Sequence, residues 1–212
     1  MKILLISILF LIASSCIEDI NTKNYTFESI RINNQDWMTT NLDVSRFRNG
    51  DLILHAKTDE EWKLAGKNKK PAWCYYDNQI RNGRLYGKLY NWYAVSDTRE
   101  IAPIGWHVPS DLEWSELIDY LGGEDSAGEK LKSKDGWFEN GVNWNESGFS
   151  ALPGGYRSPG GFDGLKTDAI FWSTTEEKND YSWNREIYYG NSSVTRFNYH
   201  NWHGFSVRCI KD

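Results

Sequence analysis

The sequence contains no basic tract longer than the broken run Lys67, Lys69 and Lys70. With 24 basic and 29 acidic side chains its formal charge is -5. A mildly acidic surface does not attract phosphate backbones, so nucleic acid is not an expected partner. Apolar runs are short as well: the longest, ILLISILFLI at residues 3–12, falls well below the ~20 residues of a spanning helix. A metal set is also missing. His200 and His203 have a spacing that zinc sites use, but no convincing third ligand accompanies them, and they are expected to flank a turn or rim. Cysteine is scarce, with three in 212 residues.

What is present begins with a leader. Met1 and Lys2 precede the apolar run, and the small residues Ala13, Ser14 and Ser15 lead to Cys16. This is the layout of a secretory signal, expected over residues 1–15. The stretch also resembles the lipobox of bacterial lipoproteins, with Ala13 where that pattern prefers Leu; the resemblance implies diacylglycerol on Cys16. An ordinary signal cut near Ser15 is the alternative. Several acyl chains at ~0.8 kcal/mol per methylene would hold a soluble domain at a bilayer. The acidic pair Glu18 and Asp19 resembles an outer-surface sorting signal of some Gram-negative lineages. Processing removes one Lys and no acid, leaving 23 basic and 29 acidic side chains and a charge of -6.

Cys74 and Cys209 then remain, an even count in an oxidising compartment, so a disulfide is the expectation and two buried thiols the alternative. Residues 16–27 read as a tether, and 28–212 as one domain. ESIRINNQDWMTTNL, residues 28–42, reads as a hairpin turning at Asn33 and Asn34. Residues 43–70 are charged and irregular apart from a helical turn around EEWKL. Beyond Trp73 aromatics are dense, and most of the 11 Trp are expected inside.

The stretch GWHVPSDLEW, residues 105–114, places His107, Ser110, Asp111 and Glu113 together. These residue types occur in hydrolase sites, but here they have a structural reading. Ser110 followed by Glu113 is a capping box, Leu112, Trp114, Leu117, Ile118 and Leu121 form a helical stripe, and Gly122 and Gly123 stop it. Asp111 favours the positive helix end by ~0.5 kcal/mol. His107 is expected to be a packed, hydrogen-bonded imidazole. A second box is read at Ser126 and Glu129, heading AGEKLKS. Residues 140–168 are rich in Gly, Asn and Pro and read as long ordered loops. AIFWSTTE, SWNREIYY, VTRFNY and GFSVRCIK alternate at period two, with GNSS as a hairpin turn. Scattered helices before C-terminal strands make the fold class α+β.

QDWMTTNL, PAWCYYDN, YGKLYNWYAV, PIGWHVPSDLEW, LGG with AGEKLKS, NESGFSALPGGYR, FWSTTE and GFSVRCIKD occur in order from about residue 30 to the end. Together they resemble the Fibrobacter succinogenes major paralogous domain, a family of secreted and lipid-anchored bacterial proteins. The resemblance implies a C-type-lectin-like fold with two short helices, a twisted antiparallel sheet and a long loop region. Some members carry a cysteine where this chain has Ala102, which implies pairing of Cys209 with Cys74 here. No reaction comes with the family.

The expected function is a non-catalytic envelope module for glycan or protein ligands. Loops on a rigid scaffold gather binding residues. Across residues 143–168 and the neighbouring strand starts, the candidates are Asn145 and Glu146 as polar contacts, Tyr156 as a stacking platform, and Arg157 and Arg185 as bidentate donors. Asn145 and Glu146 satisfying loop backbone is the structural alternative. No obligatory calcium or other cofactor is expected: Asn143, Asn145, Glu146, Asp163 and Asp168 are present, but not the Glu-Pro-Asn or Trp-Asn-Asp triplets of sugar-binding C-type lectins. An enzyme of the related formylglycine-generating fold, which needs reactive cysteines, and an adhesin or structural surface component are the alternatives.

Overall fold

A computed structural model describes residues 27–139 and 144–212. The leader, Cys16 and the tether up to residue 26 lie outside the described residues, as does Asn143.

The domain is α+β, with three sheets and five helices among the described residues. Strands β1 (Ser29–Ile32) and β2 (Gln35–Met38) form the expected hairpin, with Asn33 at φ 54 in the turn. They join β12 (Ile210–Lys211) and β6 (Trp106–His107) in the order β1-β2-β12-β6. A small sheet is built from β3 (Leu54–His55), β4 (Ala72–Cys74) and β5 (Leu89–Tyr90). The largest sheet runs β11-β10-β9-β7-β8, from β7 (Gly154–Ser158), β8 (Gly161–Leu165), β9 (Asp168–Lys178), β10 (Tyr181–Tyr188) and β11 (Val194–His200). Its pairings are antiparallel except β7 with β9, which is parallel.

The helices outnumber the two expected. Residues 43–70, read as irregular, contain α1 (Asp59–Lys67), which Thr58 and Glu61 start with a complete capping box. Then come α2 (Ile80–Tyr86), α3 (Trp92–Val95), α4 (Asp111–Tyr120) and α5 (Ala127–Leu131). The expected loop over 140–168 is corrected too, because β7 and β8 form a hairpin within it. Helix α4 ends as its glycines dictate: Gly122 and Gly123 take φ 106 and 88, and their N–H groups return to Asp119 and Ile118.

The large sheet separates two cores. Ile170, Trp172 and Phe205 pack on one face with Met38, Tyr90 and Trp106. Ala169, Phe171 and Ile187 pack on the other with Trp114, Leu117 and Ile118 of α4. Eight of the eleven Trp are buried, so the aromatic density is mainly core. Seven of those eight indoles donate to protein acceptors, Trp92 to Ser173 O at 2.9 Å and Trp172 to Tyr90 O at 2.8 Å among them.

One extended segment, residues 204–210, stitches the sheets together. Gly204 bridges Arg157, Phe205 bridges Tyr90, and Ser206 bridges Phe171. Val207 O accepts from Leu42, Cys209 O accepts from Met38, and Ile210 pairs with both Trp37 and His107.

The expected disulfide is absent. Cys74 lies with Ala56, Trp62 and Leu89 in a third cluster, whereas Cys209 lies in the first core. Each thiol is enclosed by its own apolar neighbours, and burial pushes both up to about 12.

Candidate functional site

Helix α4 places the hydrolase-like residues. Ser110 Oγ accepts from Glu113 N at 3.3 Å and donates to Glu113 Oε2 at 2.8 Å, while Ser110 N donates to the same oxygen at 2.7 Å. His107 Nε2 is 2.8 Å from Glu113 Oε1 and its Nδ1 is 2.9 Å from Asp212 Oδ1. Ser110 and His107 thus meet opposite oxygens of one carboxylate instead of each other. A nucleophile needs a base in contact with its own hydroxyl. A cleft of about 260 Å³ runs beside His107, and its charged lining residues Arg48, Asp97 and Glu100 are already paired.

The second box is corrected. Ser126, at φ -129 and ψ -16, makes no side-chain cap, and its hydroxyl turns back to Gly122 O at 3.0 Å. A cap needs extended backbone at that residue so that its oxygen faces the helix N–H groups. Glu129 instead accepts from Ser192 Oγ at 2.7 Å.

The five candidate ligand residues are not brought together. Asn145 takes φ 66 and closes its own loop, donating to Ser150 Oγ at 2.7 Å and accepting from Ser150 N at 2.8 Å. Glu146 is exposed on a cleft of about 360 Å³ with Arg31, Tyr120 and Lys130. Both arginines are buried and engaged, which overturns their reading as free donors. Arg157 reaches Asp59 Oδ1 at 2.7 Å and Thr58 O at 3.1 Å, with its guanidinium over Trp62 and Phe162. Arg185 reaches Asp111 Oδ1 at 2.6 Å and Ser115 Oγ at 2.9 Å. Burial works against the Asp111 carboxylate, yet Arg196 and Arg185 together hold it below its ordinary range. Among the histidines, His203 Nδ1 is 3.0 Å from His200 O, and burial holds both rings below the ordinary imidazole range.

Tyr156 belongs to a different constellation, one the sequence reading missed. Cross-strand partners share a face. Asn184, Glu186 and Tyr188 of β10 therefore lie with their β9 partners Trp172, Ile170 and Asp168. From β11 the partners Phe197 and Thr195 add to this face. Phe205 floors it, with its ring 4.3 Å from Trp172, 5.3 Å from Tyr199 and 6.2 Å from Tyr156. Tyr156 pairs across to Asp163 on β8. Burial raises Glu186, and Asp168 adds to the shift; burial likewise raises Asp168, with Asp163 contributing. Tyr199 is pushed up to about 12 by burial and then by Glu186. Among the described residues, no Lys, Arg or His forms an ion pair with Asp163, Asp168 or Glu186.

Among the described residues of this α+β fold, the reactive-looking groups are tied into caps and ion pairs, and one acid-and-aromatic sheet face carries no ion pair. The chain is a member of the Fibrobacter succinogenes major domain family, whose profile matches residues 30–211. No curated protein and no solved structure matches it.

Proposed function

We propose that the chain is a non-catalytic binding module of the cell envelope, built on a C-type-lectin-like fold and carried on a lipid anchor at Cys16 in the outer membrane. Its ligands are glycans or proteins, met at the sheet face of Tyr156, Asp168, Glu186 and Tyr199. The observation that carries this reading is the lack of a cation beside Asp163, Asp168 and Glu186 among the described residues. Elsewhere half-buried carboxylates face a cation, as Asp111 faces Arg185 and Arg196 and Asp180 faces Lys69. Leaving carboxylates uncompensated costs stability, and such arrangements gather at functional sites.

The enzymatic alternative needs reactive thiols, and two buried thiols raised to about 12 weigh against it. The test has two arms. The detergent-solubilised full chain is screened on glycan and peptide arrays beside the E186Q variant, with binding by the native chain and its loss in the variant expected. Silence on both arrays, or equal binding by E186Q, defeats the reading. Separately, labelled fatty acid is followed into the chain and into C16A, and label retained by C16A removes the anchor assignment.

A further inference from the structure

We infer that this face takes an alkylammonium group, the side chain of a lysine on a partner polypeptide, held by Asn184 and Glu186 between Tyr156 and Tyr199. The inference rests on the binding-module reading and names its ligand chemistry.

Asn184 supplies the independent observation. It is fully buried, and both Oδ1 and Nδ2 lack a hydrogen-bond partner among the described residues. A buried amide left unpaired is costly, and a native fold that keeps one points to a group that completes it. Asn184 stands two residues before Glu186 on β10, which puts both side chains on one face. Its cross-strand neighbours are Trp172 and the half-exposed Phe197.

The chemistry of the surrounding groups selects the ligand. Asp163, Asp168 and Glu186 supply negative charge without a counter-ion, and tyrosine faces attract cations. An ammonium carries three donors and no acceptor, so it completes the Asn184 carbonyl oxygen and the Glu186 carboxylate, while a main-chain carbonyl of the partner accepts from Asn184 Nδ2. Among the described residues no group of three His, Cys, Asp or Glu is placed to hold a metal ion. A cation with its own N–H donors therefore fits better than a bare metal. The depth of Asn184 favours a slender chain over a pyranose ring, hence lysine over an amino sugar.

The test titrates the full chain in detergent with acetyl-Gly-Lys-Gly-amide, following the Asn184 side-chain amide by NMR. A saturable shift is expected. It should weaken by about tenfold or more when the lysine is Nε-acetylated and when the protein carries E186Q, as for loss of a charge-assisted hydrogen bond. D125N, at an exposed acid away from the face, serves as the control with unchanged affinity. Equal binding of charged and acetylated peptides, no shift at all, or glucosamine binding more tightly than the peptide would overturn the inference. If the peptide fails while an array glycan still moves the Asn184 resonance, only this inference falls. If both are silent, the binding reading falls with it.

Discussion

His107 Nε2 lies 2.8 Å from Glu113 Oε1, so the ring that ends β6 and the carboxylate that caps α4 hold each other in place. Asp212 closes the other side of the ring. This contact makes the C-terminal strand and the helix start one unit, and it carries the first expectation.

Burial alone would lower His107, but the Asp212 and Glu113 carboxylates outweigh it, and its folded pKa stands above the ordinary imidazole value. A raised folded value means that the stabilisation is fully present below the unfolded pKa, ~6.5, and is lost as pH rises through the folded one. H107Q should therefore lower the melting temperature most below pH 6 and progressively less above pH 7. With the ring 39% exposed the contribution is at most ~1 kcal/mol. A deficit that widens as pH rises, in melts taken from pH 5 to 9, contradicts the assignment.

The two serine-headed helices separate by mutation. S110A removes the hydroxyl half of a complete capping box, leaving the backbone N–H bond to Glu113, and should cost ~1 kcal/mol, or about 2–4 °C of Tm for a domain of this size. S126A removes only an exposed bond to Gly122 O and should cost clearly less. Equal losses in thermal melts would put a cap back at Ser126.

Arg157 and Arg185 should report on folding. Truncating either to alanine empties a buried site and removes its charge-assisted bonds to the half-exposed Asp59 or to Asp111, which keeps Arg196, a change of about 2–3 kcal/mol. Denaturant unfolding measures this directly. An R185A protein with native stability and lost ligand binding would restore the original reading of that residue.

Glu186 has the opposite sign. Burial and Asp168 raise its folded pKa, so the unfolded chain ionises first as pH rises, and the native state loses stability from about pH 4 up to the folded value. Asp168, Tyr156 and Tyr199 face the same carboxylate. E186Q should consequently melt higher than the native protein at pH 7, with the gain shrinking toward pH 4. A lower Tm at neutral pH would mean that the ionised carboxylate is a stabilising element.

Neither Cys74 nor Cys209 should react with a thiol reagent until the chain unfolds, and the melting temperature should be the same with and without reductant. Two equivalents of thiol at those positions in the denatured protein, and none in the native one, is the expected count. A reductant-sensitive melt would reinstate the bridge.

What was legible in the sequence was local. The α4 cap is written within four residues, from Ser110 to Glu113, and the β1–β2 turn sits at Asn33. The same signature at Thr58 and Glu61 was hidden by a charged, irregular setting, although the pattern T-x-x-E was there to find. At Ser126 the letters fit but the backbone does not, because φ/ψ at that residue depends on what precedes it. The roles of Arg157 and Arg185 were illegible because their carboxylates lie 98 and 74 residues away. The face around Glu186 gave half a signal: alternation in SWNREIYY puts Asn184 and Glu186 on one side, but nothing in the sequence states that Tyr156 and Asp168 lie beside them.

The segment 204–210 also governs when this architecture can exist. Until those residues dock, β2, β5, β7 and β9 have no common seam, and every bond to it closes a loop of tens to more than a hundred residues. Such long-range closure is slow and gives no partial reward. Folding accordingly hinges on the docking of this one segment, which joins the three sheets in a single cooperative step.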